Sequence, residues 1–324
     1  MIGSKNYVII IGSSNIDLNI YSERLPKPGE TITGGIFKQY LGGKGANQSV
    51  ASVRSGSNTI FIGKVGRDLY GEQMISQLRN EGVNTDYILK DPTESSGIAF
   101  IMIDKDGENM ISVAPGANAK LMPEDIRKLA KLIKNSTSLI VQMEISIETI
   151  EEVFSIASKG EVIKILNPAP LKTIPPKILS KTDILIPNEG ELTRLSTLLG
   201  FKESLHKGNK KIIQISRDIC SLGVKSVITT LGSKGSLTYL SKNDKYIELP
   251  AFKVKAIDTV GAGDCFNGII ASKLNQGEDI ITSVKYATAA ASIAVTRKGA
   301  QESIPHLNEI EERYQKYNAL MGQT

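Results

Sequence analysis

Hydrophobic positions along this chain gather into short unbroken runs. Tyr7–Ile11, Thr59–Ile62, Ser138–Val141, Val162–Leu166, Ile184–Ile186 and Val227–Thr229 are rich in Ile and Val and do not alternate with polar residues. Runs of this kind predict strands covered on both faces, as in a parallel sheet. Between them, apolar residues recur at helical spacing. Met74, Ile75 and Leu78 mark a helix over Gly71–Asn80, and Ile147, Ile150, Val153, Phe154 and Ala157 mark one over Ser146–Ala157. Pro123 precedes a helix over Glu124–Ile133 with acidic residues in its first turn. Asn47–Arg54, Ile212–Leu222 and a charged amphipathic Leu307–Leu320 complete the set. Strands alternating with helices predict an α/β fold: a doubly wound, mostly parallel sheet flanked by helices.

Two segments depart from this pattern and alternate instead. Asp17–Phe37 places Leu18, Ile20 and Ile32 around a Pro-rich turn, and Gly97–Val113 places Ile98, Phe100, Met102 and Met110 around Asp106-Gly107. The second reads as a hairpin. Together they predict a small β lid, inserted at about 14–38 and 95–114 in a single α/β domain over 1–324.

Composition narrows the function classes. Of the 324 residues, 40% are hydrophobic and 23% charged, which suits a buried core and excludes a disordered or collagen-like chain. Net charge is only +5 and dispersed, and Trp is absent, so no nucleic-acid partner is expected. Cys220 and Cys265 cannot build a disulfide framework, and with His206 and His306 they do not space as a zinc site. No run is long enough for a signal peptide or a membrane span, so a cytoplasmic protein without a membrane partner is expected.

Three stretches carry candidate chemistry. Asp258-Thr-Val-Gly261-Ala262-Gly263-Asp264 follows a strand expected over Phe252–Ala256 and opens an apolar helix. The free N–H groups of that helix start form an anion site. Asp264 at its mouth reads either as a cap of those groups or as a general base toward a hydroxyl attacking phosphorus. Gly42-Gly43-Lys44-Gly45-Ala46-Asn47 reads either as a flexible turn with a solvated Lys or as a loop closing on a polar ligand through Lys44 and Asn47. Gly12-Ser-Ser-Asn15-Ile-Asp17 ends the first strand and reads either as an Asx-type turn or as a carboxylate and an amide bracketing vicinal hydroxyls. No dinucleotide fingerprint and no Walker-type loop is present. Glu144, after a strand ending near Met143, reads by itself as a solvated or capping group. Cys265 reads as a small buried side chain or as a thiolate at a helix start.

These stretches, with Pro187-Asn188-Glu189-Gly190-Glu191, Thr230-Leu-Gly232-Ser233-Lys234-Gly235, Asn167-Pro-Ala-Pro170 and Ala294-Val-Thr-Arg297-Lys-Gly299-Ala-Gln-Glu-Ser303, resemble the ribokinase (PfkB) family of sugar and nucleoside kinases. They stand in family order across nearly the whole chain. The resemblance implies transfer of the γ-phosphoryl of ATP to the 5-hydroxyl of D-ribose. Other acceptors (2-deoxyribose, fructose, a nucleoside) and a catalytically silent sugar sensor are the alternatives. It implies Asp264 as base, with Gly261, Ala262, Gly263 and Asp264 amides as anion hole. Asn15, Asp17, Gly43, Lys44, Asn47 and Glu144 would hold the sugar. Asn188, Thr230, Gly232, Ser233, Gly235, Gly263 and Thr288 would line the ATP site. Glu191 would act on Mg²⁺ through water. Asp258, Val260, Ala294, Arg297, Gly299 and Ser303 would surround K⁺, mostly through backbone oxygens. The lid would pair with a second subunit's lid in a homodimer. Lys234 departs from the Arg expected there, and Lys cannot fork onto phosphate.

Overall fold

A computed structural model describes residues 6–202 and 204–321. The first elements are β1 (Val8–Ile11), β2 (Asn15–Tyr21), β3 (Ile36–Gly42), α1 (Lys44–Arg54), β4 (Thr59–Gly66) and α2 (Leu69–Asn80). Then come β5 (Ile88–Asp91), β6 (Gly97–Ile103), β7 (Asn109–Ala114), α3 (Pro123–Lys128), α4 (Ala130–Lys134), β8 (Ser138–Val141) and α5 (Ile147–Ala157). β9 (Ile163–Leu166), α6 (Pro176–Leu179), β10 (Ile184–Leu185), α7 (Glu189–Leu198), α8 (Asn209–Cys220) and β11 (Ser226–Thr230) follow. The last elements are β12 (Ser236–Leu240), β13 (Lys245–Leu249), α9 (Ala262–Asn275), α10 (Ile280–Ala294) and α11 (Leu307–Met321).

The main sheet has nine strands in the order β13-β12-β11-β10-β9-β8-β1-β4-β5. All neighbours are parallel except β11-β12-β13, which meander antiparallel. β1 lies between β4 and β8 and has no exposed residue. Its Ile9 and Ile11 pack toward α3–α8, and its Val8 and Ile10 toward α1, α9, α10 and α11. A central strand buried on both faces must be apolar throughout, which is why it reads as an unbroken run.

The second sheet has the order β3-β2-β6-β7, built from the two alternating segments. β3 continues to Gly42, beyond the edge expected near 38. The hairpin closes through Gly107 N–H donating to the Asp104 carbonyl at 3.1 Å. Ile16 and Leu18 of this sheet pack on Val65 of β4 and on Met74 and Ile75 of α2, which anchors it to the main body.

Two expected elements differ. The helix over Glu124–Ile133 is broken at Leu129 (φ −99°, ψ 11°), whose N–H bonds the Ile126 carbonyl in a tightened turn. The expected strand Phe252–Ala256 has no ladder partner and is not a strand. Its apolar residues have another use: the Phe252 ring packs on Tyr317 of α11 at 5.2 Å between centroids, and Phe252, Val254 and Ala256 wall a cavity described below.

Candidate active site

The carboxyl ends of the parallel strands converge on one side of the sheet, where ligands of open α/β sheets bind. β1 delivers Gly12–Ser14, β8 delivers Gln142–Glu144, and β9, β10 and β11 deliver Asn167, Asn188 and Thr230. The N-termini of α1 and α9 arrive at the same place. The two helices touch closely at Gly268, where a Cβ would lie 2.3 Å from the Gln48 carbonyl.

That contact brings Asp264 onto α1. Asp264 is 8% exposed, and its Oδ2 accepts from Asn47 Nδ2 and its Oδ1 from Gln48 Nε2, each at 3.0 Å. The carboxylate is therefore not the cap of its own helix. Gly261 caps α9 without any side-chain bond, in the left-handed region at φ 72°, where a glycine is favoured. The N–H groups of Gly263 and Asp264 find no acceptor among the described residues. Gly263 is different from its neighbour: a Cβ there would meet nothing within 4 Å. Packing does not require a glycine at 263, so the bare backbone is free for a ligand to approach.

The Asp264 contacts continue as a buried amide chain. Gln142 Nε2 donates to Gln48 Oε1 at 2.6 Å, and Gln48 Nε2 also reaches Asn167 Oδ1 at 3.3 Å. Asn167 Nδ2 in turn donates to the Ile186 carbonyl at 2.9 Å. The Asn47 and Asn267 Oδ1 atoms are buried without a partner. A buried polar atom without a protein partner is costly unless water or a ligand satisfies it. Gln48 and Gln142 are functional candidates that sequence reasoning left without a role.

The glycine-rich loop is a tight turn. Gly43 caps α1 at φ 89°, and a Cβ there would come 2.7 Å from Ser14 Cα. Glu144 accepts from the Lys44 backbone N–H at 3.2 Å and from the Ser13 hydroxyl, so the capping reading of this carboxylate is realised. The half-buried Lys44 side chain has its ammonium held above the ordinary pKa chiefly by the Asp264 carboxylate, against desolvation. Asp17 is pushed up to about 7 by burial, then by Glu144, Glu302 and Asp264, with Lys44 opposing. Asn15 is buried with its Oδ1 accepting from Asn118 Nδ2 at 2.8 Å.

Two cavities adjoin these groups. The larger, about 300 Å³, is walled by Ala251, Phe252, Val254, Phe266, Ala291 and Val295, with Gly232, Ser233, Gly235 and Thr288 at its edges. The smaller, about 230 Å³, is polar and holds Lys44, Asn188, Glu191, Gly261, Asp264 and Asn267. Thr230, Thr259 and Gly263 line both, so the cavities meet at the start of α9. Asn188 lines the polar one only, and its side chain caps α7 by accepting from Glu191 N–H at 2.8 Å, while Glu191 returns a bond to Asn188 N–H.

The pattern for pfkB family carbohydrate kinases matches residues 5–307. The chain is 37% identical to the ribokinase of Staphylococcus aureus (strain COL), over 94% of this chain and 98% of that protein. It is 36% identical to the deoxyribokinase of Salmonella typhi, over 94% and 97%. The structure of Arabidopsis thaliana ribokinase complexed with ribose and ATP superposes with a TM-score of 0.87 at 33% identity, covering 96% of this chain and 99% of that one. The chain belongs to the pfkB family of carbohydrate kinases.

In this pfkB kinase the loop before α9 is stapled to the segment after α10. Asp258 accepts from Val260 N–H at 3.0 Å through one oxygen and from Gly299 N–H at 3.1 Å through the other. Ile257 N–H donates to the Val295 carbonyl at 2.7 Å, and the Ala294 carbonyl accepts from Arg297 N–H at 3.0 Å. The Arg297 guanidinium turns away and pairs with Glu309 of α11. Ser303 is fully buried and its hydroxyl donates to the Ala300 carbonyl. Among the described residues no group of three or more His, Cys, Asp or Glu is arranged to hold a metal ion, and no helix is long and apolar enough to cross a membrane. Cys265 is fully buried and its thiol is pushed up to about 12 by that burial, which removes the thiolate reading. Lys234 is exposed beside Ser233.

Proposed function

We propose that this kinase transfers the γ-phosphoryl of ATP to the 5-hydroxyl of D-ribose. The observation that carries the reading is the position of Asp264: held by two amide donors, beside unpaired N–H groups, where an apolar and a polar cavity meet. The apolar cavity suits the adenine ring, with Ser233, Gly235 and Thr288 along its edges. The polar cavity suits the phosphates, with Lys44 offsetting their charge. The pentose lies across Lys44 and Asp264 from that cavity, against Asn15, Asp17, Gly43, Asn47 and Glu144. The unpartnered Asn47 Oδ1 accepts one of its hydroxyls.

Asp264 takes the proton of the 5-hydroxyl as its oxygen bonds to the γ-phosphorus, and the bond from that phosphorus to the β-phosphate oxygen breaks to release ADP. The free amides of Gly263 and Asp264 face the charge carried by the moving group, whereas the Ala262 N–H expected to join them is held by the Thr259 carbonyl at 3.3 Å. Phosphoryl transfer draws mostly on positioning and on charge stabilisation of this kind.

Glu191 and Asp264 share the polar cavity without a third carboxylate, which fits a divalent ion held largely by phosphates and water and not by a protein cage. Mg²⁺ there would neutralise phosphate charge, with Glu191 acting through its water shell. Asp258 ties the loop before α9 to the segment after α10 through Val260 and Gly299 N–H, and a monovalent cation, K⁺, would be held between them by Asp258, Val260, Ala294, Arg297, Gly299 and Ser303. With Arg297 paired to Glu309, its contribution would come from the backbone. That ion would order the anion-binding turn.

The test is ADP release with ribose, 2-deoxyribose, fructose and adenosine, each with Na⁺ or K⁺. Ribose is expected to lead, and K⁺ to raise its rate. Ribose no better than buffer overturns the acceptor, and equal rates with the two ions overturn the cation.

A further inference from the structure

The curated relatives include both a ribokinase and a deoxyribokinase at nearly equal identity, so overall likeness does not separate the two acceptors. The structure offers a more local criterion. Asn118 lies in a short turn after β7, in neither cavity and in none of the motifs discussed above. It is 1% exposed and grips the backbone of Ser14 with both ends of its amide. Its Oδ1 accepts from Ser14 N–H at 3.0 Å, and its Nδ2 donates to the Ser14 carbonyl at 3.1 Å. An N–H can only donate and a carbonyl can only accept, so this double contact decides which end of the Asn118 amide is which.

The consequence passes to the next residue. Asn118 Nδ2 spends its second hydrogen on Asn15 Oδ1 at 2.8 Å. The oxygen of Asn15 is thereby turned toward the protein and its NH₂ away from it. Asn15 Nδ2 has no partner among the described residues and is not among the buried atoms lacking one, so it remains accessible. The fit is tight around this pair: a Cβ on Gly97 would lie 2.2 Å from Asn118 Nδ2 and 2.3 Å from Asn15 Oδ1. Gly97 leaves room for the two amides and for nothing larger.

We propose that Asn118 is a specificity-determining positioning residue: by fixing the Asn15 carboxamide, it presents a preoriented NH₂ donor to the pentose and favours a sugar with a hydroxyl at carbon 2 over its deoxy analogue. This rests on the proposed placement of the pentose against Asn15. A hydroxyl there accepts the NH₂ donor; a methylene leaves it unpaired, and an unpaired buried donor is penalised. An Asn15 amide free to rotate and to draw in water loses this discrimination.

The experiment measures kcat/KM for ribose and for 2-deoxyribose in the wild type, Asn118→Ala, Asn118→Asp and Asn15→Ala, and in Asn15→Ala combined with Asn118→Ala. Asn118→Asp keeps the shape and the acceptor for Ser14 N–H while removing both donors. ADP affinity, which reads the separate nucleotide cavity, reports whether each variant is folded. In both Asn118 variants the ribose to 2-deoxyribose ratio is expected to fall about tenfold, chiefly through KM for ribose. In the Asn15→Ala background, Asn118→Ala is expected to add no further change to that ratio. Equal losses with both sugars, or loss of ADP affinity in both Asn118 variants, would reduce Asn118 to a structural residue and overturn the assignment. The wild type is informative by itself: failure to use ribose overturns the functional reading and this inference with it, whereas wild-type ribose turnover with an unchanged ratio in the variants overturns this inference alone.

Discussion

Gln48 Nε2 donates to Asp264 Oδ1 at 3.0 Å across the contact between α1 and α9. The direction of this bond is set by the carboxylate, which can only accept, and it leaves Gln48 Oε1 to accept from Gln142 Nε2 at 2.6 Å. With Asn47 on the other oxygen, the Asp264 side chain has one orientation available. A buried carboxylate held this way is ready for a proton without reorganising, which is what a general base requires.

Asp264→Asn should therefore lower kcat by about 10² to 10⁴, the range for loss of a general base. Nucleotide affinity should survive, because the apolar cavity is untouched. Cys265→Ser, one residue on, should leave kcat near wild type, since a buried neutral thiol does no chemistry. Steady-state kinetics with calorimetric ADP binding checks all three.

Gln48→Leu removes one of the two donors to the carboxylate and leaves the buried Gln142 amide without its acceptor. A hydrogen bond to a charged group contributes about 1.5–3 kcal/mol, so kcat should fall about tenfold to a hundredfold. KM for ATP should stay put. A change confined to KM for ATP would contradict the positioning role.

Gly263→Ala separates folding from chemistry. A Cβ at 263 meets open space, so the melting temperature should not move. The methyl group would stand where phosphate must approach the amides, and loss of one such donor costs about 10² to 10³ in rate. Thermal unfolding and turnover measured on the same preparation decide it; unchanged turnover would argue that the phosphate passes elsewhere.

Asp17 titrates near neutrality, pushed up from 3.8 to about 7 chiefly by burial. A carboxyl whose folded value is raised favours folding most when protonated, and that contribution is lost as pH rises from about 4 to about 7. A sugar hydroxyl donating to the ionised form competes with the proton. KM for the sugar should thus fall as pH rises from 6 to 8, and Asp17→Asn should flatten the profile. A wild-type KM constant over that range would oppose direct contact of the sugar with this carboxylate.

The lid sheet leaves Ile36, Phe37, Phe100, Met110, Ile111 and Val113 each more than half exposed. Apolar surface of this kind on a sheet with open edges is expected to be covered by a second copy. Light scattering should give a dimer for the wild type and a monomer for Phe37→Glu combined with Ile111→Glu. A wild-type monomer at assay concentration would refute the pairing.

Much of this architecture could be read from the chain because its signals are local. Ser138–Val141 emerges as β8 with the bounds its apolar run indicates, and Asp106-Gly107 closes the hairpin it marks. The failures are equally specific. Phe252–Ala256 has a strand's apolar pattern, yet it pairs with no strand: Phe252 packs on Tyr317 of α11, and Phe252, Val254 and Ala256 wall a cavity. Leu129 breaks a helix that the periodicity left continuous.

The sequence by itself determined the layering of the fold, the turn of Gly261–Gly263 and the residue types gathered for phosphoryl transfer, since periodicity, glycine spacing and helix starts act over a few neighbours. Only the tertiary structure decided that Asp264 bonds to α1 instead of capping α9, that Glu144 serves the Lys44 amide, and that Asn118 orients Asn15. The partners in those contacts stand about 100 to 217 residues apart. A hydrogen bond depends on distance and direction in space, and a chain read in order carries neither until it has folded.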